Sequence, residues 1–506
     1  MFKSICDALD QSAERFANKA AFCSDSETSS FSGFSADARR IGTWLVKHDL
    51  EKHNVAIFID KSVNCLRAMF GSAYANACYT VLDICSPKER LISILSTLQP
   101  DCVIVDKGSA GRWPLEQVPV FHLEEMLVCE ADTALLARVH ASMCDTDPLY
   151  ILFTSGSTGV PKGTVICHRS VLAYASTICR TFSIDEKTTW GSQTPLYFSM
   201  SVLDVFTTVL SGASFCIIPK LLFSFPGMLM EYLNEKRVNA IYWVPSALGI
   251  VANFNTFDEI RPLYLEKVLF AGEVMPVKPL KVWQRALPHA LFANLYGPTE
   301  ITDTCTYYIV DREFADDETL PIGVPFDNCD ILVLDKDNRR VLPGSNENGE
   351  LCVRGSFLGL GYYNNPEKTA AVFTQNPLNT SYPELVYRTG DLVAYNDKAE
   401  LVYCGRKDFQ IKHMGYRIEL GEIEAAISAV DGIIDCACVY ADSQIVLFYQ
   451  AAGLEEAELQ IQIIRRLVSY MRPTKLVRLR VLPHNANGKI DRKHLTAMLS
   501  EDSPLS

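Results

Sequence analysis

Paired metal or redox cysteines, an apolar signal core, a membrane-length hydrophobic run, repeats and low-complexity tracts are all missing from this sequence. The 17 cysteines form no C-x-x-C pair, and the nearest two, Cys436 and Cys438, have one residue between them. Zinc is the competing reading, but its usual ligand spacings are absent. An odd number of scattered thiols points to reduced, mostly buried cysteines in a cytoplasmic setting. Met1 to Phe16 carries acids early and has no apolar core, and the most apolar long stretch, Val202 to Phe225, is broken by Asp204, Pro219 and Lys220. Neither reads as a leader or a membrane span. Basic residues are outnumbered: 47 Lys and Arg against 60 Asp and Glu leave a formal net charge of −13. That balance argues against nucleic acid or an anionic membrane as the main partner, and it leaves room for a local basic cleft. What is present is ordinary globular material, 48% hydrophobic and 21% charged over 506 residues, enough for a sizeable core and more than one domain.

The apolar pattern alternates between helical and strand periods in the first part of the chain. Helices are expected at Ala36–Leu50, Val63–Ala73 and Val171–Thr181, and strands at Asn54–Ile59, Cys102–Val105, Tyr150–Phe153, Ala240–Val244 and Val268–Phe270. Such alternation predicts α/β sheets covered by helices. From Asn328 the texture becomes antiparallel β, with strands at Asp330–Asp335, Gly349–Arg354, Leu392–Tyr395 and Leu401–Tyr403. After Gly405 a small α+β unit follows: helices at Leu420–Val430 and Glu455–Met471, strands at Asp435–Tyr440 and Gln444–Tyr449.

One segment stands out, Phe153-Thr-Ser-Gly-Ser-Thr-Gly-Val-Pro-Lys-Gly163. Its small residues let backbone N–H groups approach an anion, its hydroxyls add donors and Lys162 adds a charge. The bland alternative is a flexible surface loop. The nucleotide loop G-x-x-x-x-G-K-[ST] is excluded, because Lys162 follows Pro161 and precedes Gly163. Downstream lie Tyr296-Gly-Pro-Thr-Glu300, Tyr387-Arg-Thr-Gly-Asp391, Gly405-Arg-Lys-Asp408 and Asn487-Gly-Lys-Ile-Asp-Arg-Lys493. Each alone is a common turn; in this order and spacing they are specific.

On these segments the chain resembles the adenylate-forming superfamily of acyl-CoA synthetases, luciferases and peptide-synthetase adenylation domains. Gly415-Tyr-Arg-Ile-Glu-Leu-Gly-Glu-Ile-Glu424 makes it most similar to freestanding adenylation domains, aryl-acid or anthranilate-activating enzymes and D-alanine–carrier-protein ligases. The resemblance implies an α/β fold with a β-rich subdomain in a large core, residues 1–407, and a small mobile α+β lid, residues 408–506, hinged near Asp408. It implies a ligase that joins a carboxylic acid to ATP as acyl-AMP, with pyrophosphate leaving and Mg²⁺ assisting. Thr154, Ser155, Gly156, Ser157, Thr158, Gly159 and Lys162 would hold phosphate. Thr299 would contact the α-phosphate and Glu300 would ligate the metal. Asn294 and Tyr296 would line the adenine site, Asp391 would take the ribose hydroxyls with Arg406 nearby, and Lys489 would bridge the acid and the α-phosphate. The acyl group would then pass to a phosphopantetheine thiol. Only 13 residues follow Lys493 and no Asp-Ser-Leu segment occurs, so a separate carrier protein, or coenzyme A, is expected.

By the same resemblance the acyl pocket comprises Phe198, Ser199, Met200, Leu203, Tyr242, Leu269, Ala271, Leu295, Asp303 and Thr304. Amino-acid-activating relatives usually carry Asp where Ser199 stands, and a serine cannot offset the desolvation of a buried ammonium. The mostly apolar lining with a few polar groups favours an aminobenzoate or hydroxy-aminobenzoate type of aryl acid, with a small or β-amino acid as the alternative. Asp303 either faces such a substituent or turns away to cap a local N–H. Met414 stands where relatives often have Arg. A catalytically silent scaffold is the third reading, opposed by the retained Lys162, Glu300, Asp391, Arg406 and Lys489.

Overall fold

The computed structural model describes residues 2–156, 160–345, 347–484 and 490–500. They form two compact units. The first comprises Met1–Ile84, Leu98–Leu152 and Gly163–Lys407, and the second Cys85–Thr97, Phe153–Lys162 and Asp408–Ser506.

Short, wholly apolar runs become the buried strands of the first unit. A nine-stranded sheet runs in the order Val324–Pro325, Thr306–Ile309, Leu291–Tyr296, Lys267–Phe270, Ala240–Trp243, Thr189–Ser192, Ser214–Ile217, Ala20–Cys23 and Thr28–Ser30. The six consecutive strands from Leu291–Tyr296 to Ala20–Cys23 are parallel. Strands such as Ala240–Trp243 are buried along their whole length, as a parallel sheet covered on both faces requires. A seven-stranded sheet contains Cys78–Val81, Asn54–Phe58 and Cys102–Val105 as parallel neighbours. Helix Phe31–Lys47 begins where the Ser30 hydroxyl accepts the Gly33 N–H, five residues before the expected start, and Val63–Tyr74 begins where Ser62 accepts from Cys65. Phe22, Phe34, Phe70 and Phe215 close the core between them, with ring centroids 4.4 Å apart for Phe22 and Phe34 and 5.6 Å for Phe22 and Phe215. A five-stranded antiparallel sheet, Cys329–Leu334, Gly349–Gly355, Leu385–Tyr395, Phe373–Gln375 and Leu401–Arg406, forms the β-rich part. Its strand Leu385–Tyr395 starts seven residues before the expected Leu392 and takes in the whole Tyr-Arg-Thr-Gly-Asp segment. Gly390, at φ 75°, interrupts the regular pattern that the sequence would otherwise show.

In the second unit, Gln410–His413 and Tyr416–Glu419 form a hairpin whose two turn residues, Met414 and Gly415, have φ 51° and 80°. Such a turn suits Gly and strains Met. Strands Ile433–Ala441 and Gln444–Ala451 pair antiparallel, and Lys475–Arg478 adds in parallel. Alternation sorts the first of these strands onto two cores: Cys436 and Cys438 pack with Ile423, Ile427 and Leu459, while Ala437 and Val439 pack with Val477 and Leu495. Burial pushes the Cys436 thiol up to about 11 and Cys438 well above its ordinary value, so both stay protonated. The helix expected over Glu455–Met471 is shorter. It spans Glu456–Arg466, after which Leu467 and Val468 turn extended and a short helical turn, Ser469–Met471, follows. The Arg472 guanidinium donates to the carbonyls of Ile464 and Leu467, at 3.1 and 3.0 Å, and satisfies the helix end there. Among the described residues, no helix is long and apolar enough to cross a membrane.

Candidate active site

The candidate residues Tyr242, Leu269 and Leu295 lie toward the C-terminal ends of their strands, where ligands bind in open α/β sheets. In register, Tyr242 lies beside Leu269 and Leu269 beside Ala293, so these residues share a face, and Leu295 returns to it two residues after Ala293. Ala271 lies just beyond the strand Lys267–Phe270. Ser199 and Met200 precede helix Ser201–Ser211, which carries Leu203. All these pocket residues are buried, and Phe198 is half-buried.

After strand Leu291–Tyr296 the chain makes a tight return through Pro298–Cys305. Gly297 permits it: a Cβ there would lie 2.4 Å from Thr304 Cα and 2.5 Å from the Asp303 carbonyl oxygen. Thr302 takes φ 75°, a conformation strained for a β-branched residue, and its hydroxyl donates to the Phe357 carbonyl at 2.8 Å. The return places Thr299 Oγ1 3.3 Å from Ser199 Oγ. It also buries the Asp303 carboxylate, whose Oδ2 accepts from Tyr174 at 2.8 Å and from Tyr242 at 3.0 Å; Tyr174 Oη is 2.9 Å from Thr304 Oγ1. Burial first, and Asp303 second, push both tyrosine hydroxyls well above their ordinary value, so they act as neutral donors.

A second buried cluster centres on Asp391. Tyr296 donates to its Oδ2 and Arg406, its register partner on the adjacent strand, to its Oδ1. Arg406 also donates to the Thr389 carbonyl at 3.1 Å. The Glu300 carboxylate is fully buried and accepts the Tyr362 hydroxyl at 2.6 Å. Asn294 donates to the Pro321 carbonyl at 2.8 Å.

Thr154, Ser155, Gly156, Lys162 and Asp408 belong to the second unit. Among the described residues, Thr154 Oγ1 is buried with no hydrogen-bond partner, and Ser155 Oγ donates to the Arg417 carbonyl at 3.0 Å. Lys162 opens the strand Lys162–Cys167 rather than lying within a loop. Asp408 Oδ1 accepts the Gln410 N–H at 3.2 Å. Ser157, Thr158, Gly159 and Lys489 lie outside the described residues.

These findings meet those of comparison with known proteins. A family model described as AMP-binding enzyme matches residues 9–363, more than half the chain. The chain belongs to the AMP-binding enzyme family. Its members are adenylating ligases that activate acids as acyl-AMP. It is 30% identical over 459 residues to zwittermicin A synthase ZmaJ of Bacillus cereus, covering 88% of this chain and 86% of that protein. It is 29% identical over 509 residues to tyrocidine synthase 1 of Brevibacillus parabrevis, covering 97% of this chain but 45% of the relative. Its fold matches holo-PA1221, a nonribosomal peptide synthetase protein containing adenylation and PCP domains, with a TM-score of 0.85, 20% identity and coverage of 98% of this chain and 84% of that one.

Three polar side chains of the first unit escaped sequence reasoning. Tyr174 lies on helix His168–Phe182, where a buried aromatic at helical spacing reads as core. Tyr362 follows the glycine-rich run Leu358–Gly361, whose only signal is close backbone approach. Lys61 donates to the Ser192 carbonyl and hydroxyl at 2.9 and 3.0 Å, and it acts electrostatically on buried Asp204. Burial lowers the Lys61 ammonium and raises the Asp204 carboxyl, and each charge opposes the other's shift.

Proposed function

We propose that this enzyme activates an aryl acid bearing amino or hydroxyl substituents, of the aminobenzoate or hydroxy-aminobenzoate type, and transfers it to the phosphopantetheine thiol of a carrier protein. The observation that carries the reading is a buried polar group, Asp303 held by Tyr174 and Tyr242, set against the apolar Leu203, Leu269 and Leu295. A flat ring fits the apolar part and its substituents fit the polar part. Ser199, in place of a carboxylate, disfavours an α-ammonium.

The chemistry needs no general base, because the attacking carboxylate is ionised at neutral pH. The task is to bring two anions together and to stabilise charge at the α-phosphorus as pyrophosphate departs. Asp391 has lone pairs for ribose hydroxyls beyond those used by Tyr296 and Arg406. Tyr296 and Asn294 line the adenine side. The Thr299 hydroxyl faces the α-phosphate, and the Ser/Thr/Gly segment from Thr154 with Lys162 takes the outer phosphates, for which the buried Thr154 Oγ1, without a hydrogen-bond partner among the described residues, is suited. Glu300 and phosphate oxygens make an oxygen donor set that fits Mg²⁺, which supplies charge neutralisation when bound. Lys489 bridges the acid and the α-phosphate, and Asp408 is the hinge for the thiol-transfer step. PA1221, which contains adenylation and PCP domains, supports a carrier-protein acceptor; coenzyme A is the competing one.

The test is acid-dependent ATP–pyrophosphate exchange with a panel of aminobenzoates, hydroxybenzoates, glycine, D-alanine and a β-amino acid. Strong exchange with aminobenzoates is expected; response to D-alanine or glycine alone overturns the substrate reading. Lys489→Ala should lower exchange by roughly 10²- to 10³-fold or more, with unfolding unchanged. Near-normal exchange in that variant removes Lys489 from the mechanism.

A further inference from the structure

We infer that Tyr174 is a specificity-determining positioning residue, which sets the direction of the hydrogen bonds around Asp303 so that the acyl pocket selects acids carrying hydrogen-bond donors. This rests on the reading of the pocket given above and deepens it.

The argument is one of proton count. A tyrosine hydroxyl has a single proton to give. Tyr174 Oη is 2.8 Å from Asp303 Oδ2 and 2.9 Å from Thr304 Oγ1. A carboxylate is the stronger acceptor of the two, and charge-assisted bonds are roughly twice as strong as neutral ones. The Tyr174 proton therefore goes to Asp303. Thr304, whose hydroxyl can rotate, must give its own proton to Tyr174 to keep the second bond. The direction runs from Thr304 to Tyr174 to Asp303, and Tyr242 donates to Asp303 from strand Ala240–Trp243. All four side chains are buried, so water does not compete for these protons. The upward shift of the Tyr174 hydroxyl, from burial and then from Asp303, keeps it protonated over the working pH range.

Two consequences follow for a ligand. Thr304 Oγ1 has spent its proton and presents lone pairs, and the Asp303 carboxylate accepts from both tyrosines. This end of the pocket is thus acceptor-only. An aryl amine or phenol can donate to Thr304 Oγ1; a methyl group cannot, and loses that hydrogen bond at a buried oxygen. Tyr174 reaches no further than Asp303 and Thr304 in this cluster, so its influence on selectivity passes through them.

Exchange kinetics on wild type, Tyr174→Phe, Thr304→Val and the double variant test this, using 2-aminobenzoate against 2-methylbenzoate. For whichever acid of the panel wild type prefers, that acid is likewise paired with its methyl isostere. Tyr174→Phe frees the Thr304 hydroxyl to turn, and should lower the amino-over-methyl ratio in kcat/KM by about tenfold. The KM for ATP and the unfolding midpoint should hold, which a merely structural role would not combine with lost selectivity. Thr304→Val should lower the ratio by a similar factor, and the double variant should lose no more than the larger single loss. An unchanged ratio in Tyr174→Phe, or losses that multiply in the double variant, overturns the inference. If wild type ignores aryl acids, the aryl-acid reading falls, while the isostere pair of the acid it does accept still decides the role of Tyr174. If Tyr174→Phe fails to fold, Thr304→Val decides: a full ratio there refutes the acceptor role.

Discussion

Gly297→Ala isolates the part that one backbone crossing plays in building the acyl pocket. The added Cβ would lie 2.4 Å from Thr304 Cα, 2.5 Å from the Asp303 carbonyl oxygen and 2.8 Å from the Cys305 nitrogen. All three are backbone atoms, so no rotamer change relieves the overlap. The Thr304 contact falls about 1 Å short of an ordinary 3.4 Å contact. The crossing segments must therefore separate by most of that distance. Overpacking of this kind costs about 1–3 kcal/mol of stability. The larger effect falls on function, because the displaced segment carries Asp303 and Thr304 on one side and leads into Thr299 and Glu300 on the other. A 1 Å misplacement in a positioned site costs about 10²-fold in rate. Exchange kinetics with acid and ATP varied in turn, beside urea unfolding, read both terms. Loss of exchange far beyond the loss of stability is expected. Wild-type kinetics with an unchanged unfolding midpoint would show that the crossing does not set the pocket.

Stability should also fall in mild acid through His168, which is buried, accepts the Ile5 N–H at Nδ1 and is held down to about 4 by burial, against the pull of Asp147, Asp7 and Asp145. Its folded pKa lies below the unfolded value, so the contribution is complete above about pH 6.5 and is lost as pH falls toward 4, on the order of 3 kcal/mol in all; His168→Asn should flatten the urea-unfolding profile across that window, and an identical slope refutes the assignment. Asp391→Asn removes the charge facing Arg406 and turns one of the two oxygens that accept from Tyr296 and Arg406 into an NH2 donor, and should raise the KM for ATP by about tenfold or more and lower the unfolding midpoint. An unchanged KM for ATP in a folded Asp391→Asn protein would take Asp391 out of the nucleotide site.

How much of this was readable in the sequence depended on the range over which each decision is made. Cys102–Val105 could be read to its ends, because an apolar run bounded by polar residues has one buried solution in a parallel sheet. Helix ends could not, since they are decided by caps: Ser30 moves one start forward, and the guanidinium of Arg472, six residues beyond Arg466, satisfies the end of another. The motif segments named the family and many of the residues that converge in the first unit. What they could not name was the residue each one leans on. Asp303 was visible, with its orientation open, and the structure resolves it through Tyr174, 129 positions away, and Tyr242, 61 away. Tyr362 lies 62 positions from Glu300. Along a single sequence a buried tyrosine on an amphipathic helix carries the same signal as a phenylalanine, because periodicity reports burial and is blind to the hydroxyl. The direction of a hydroxyl proton then depends on which acceptors the fold has brought within 3 Å. The partners that orient Asp303 are therefore written partly outside the motif segments, in side chains whose pattern announces only packing.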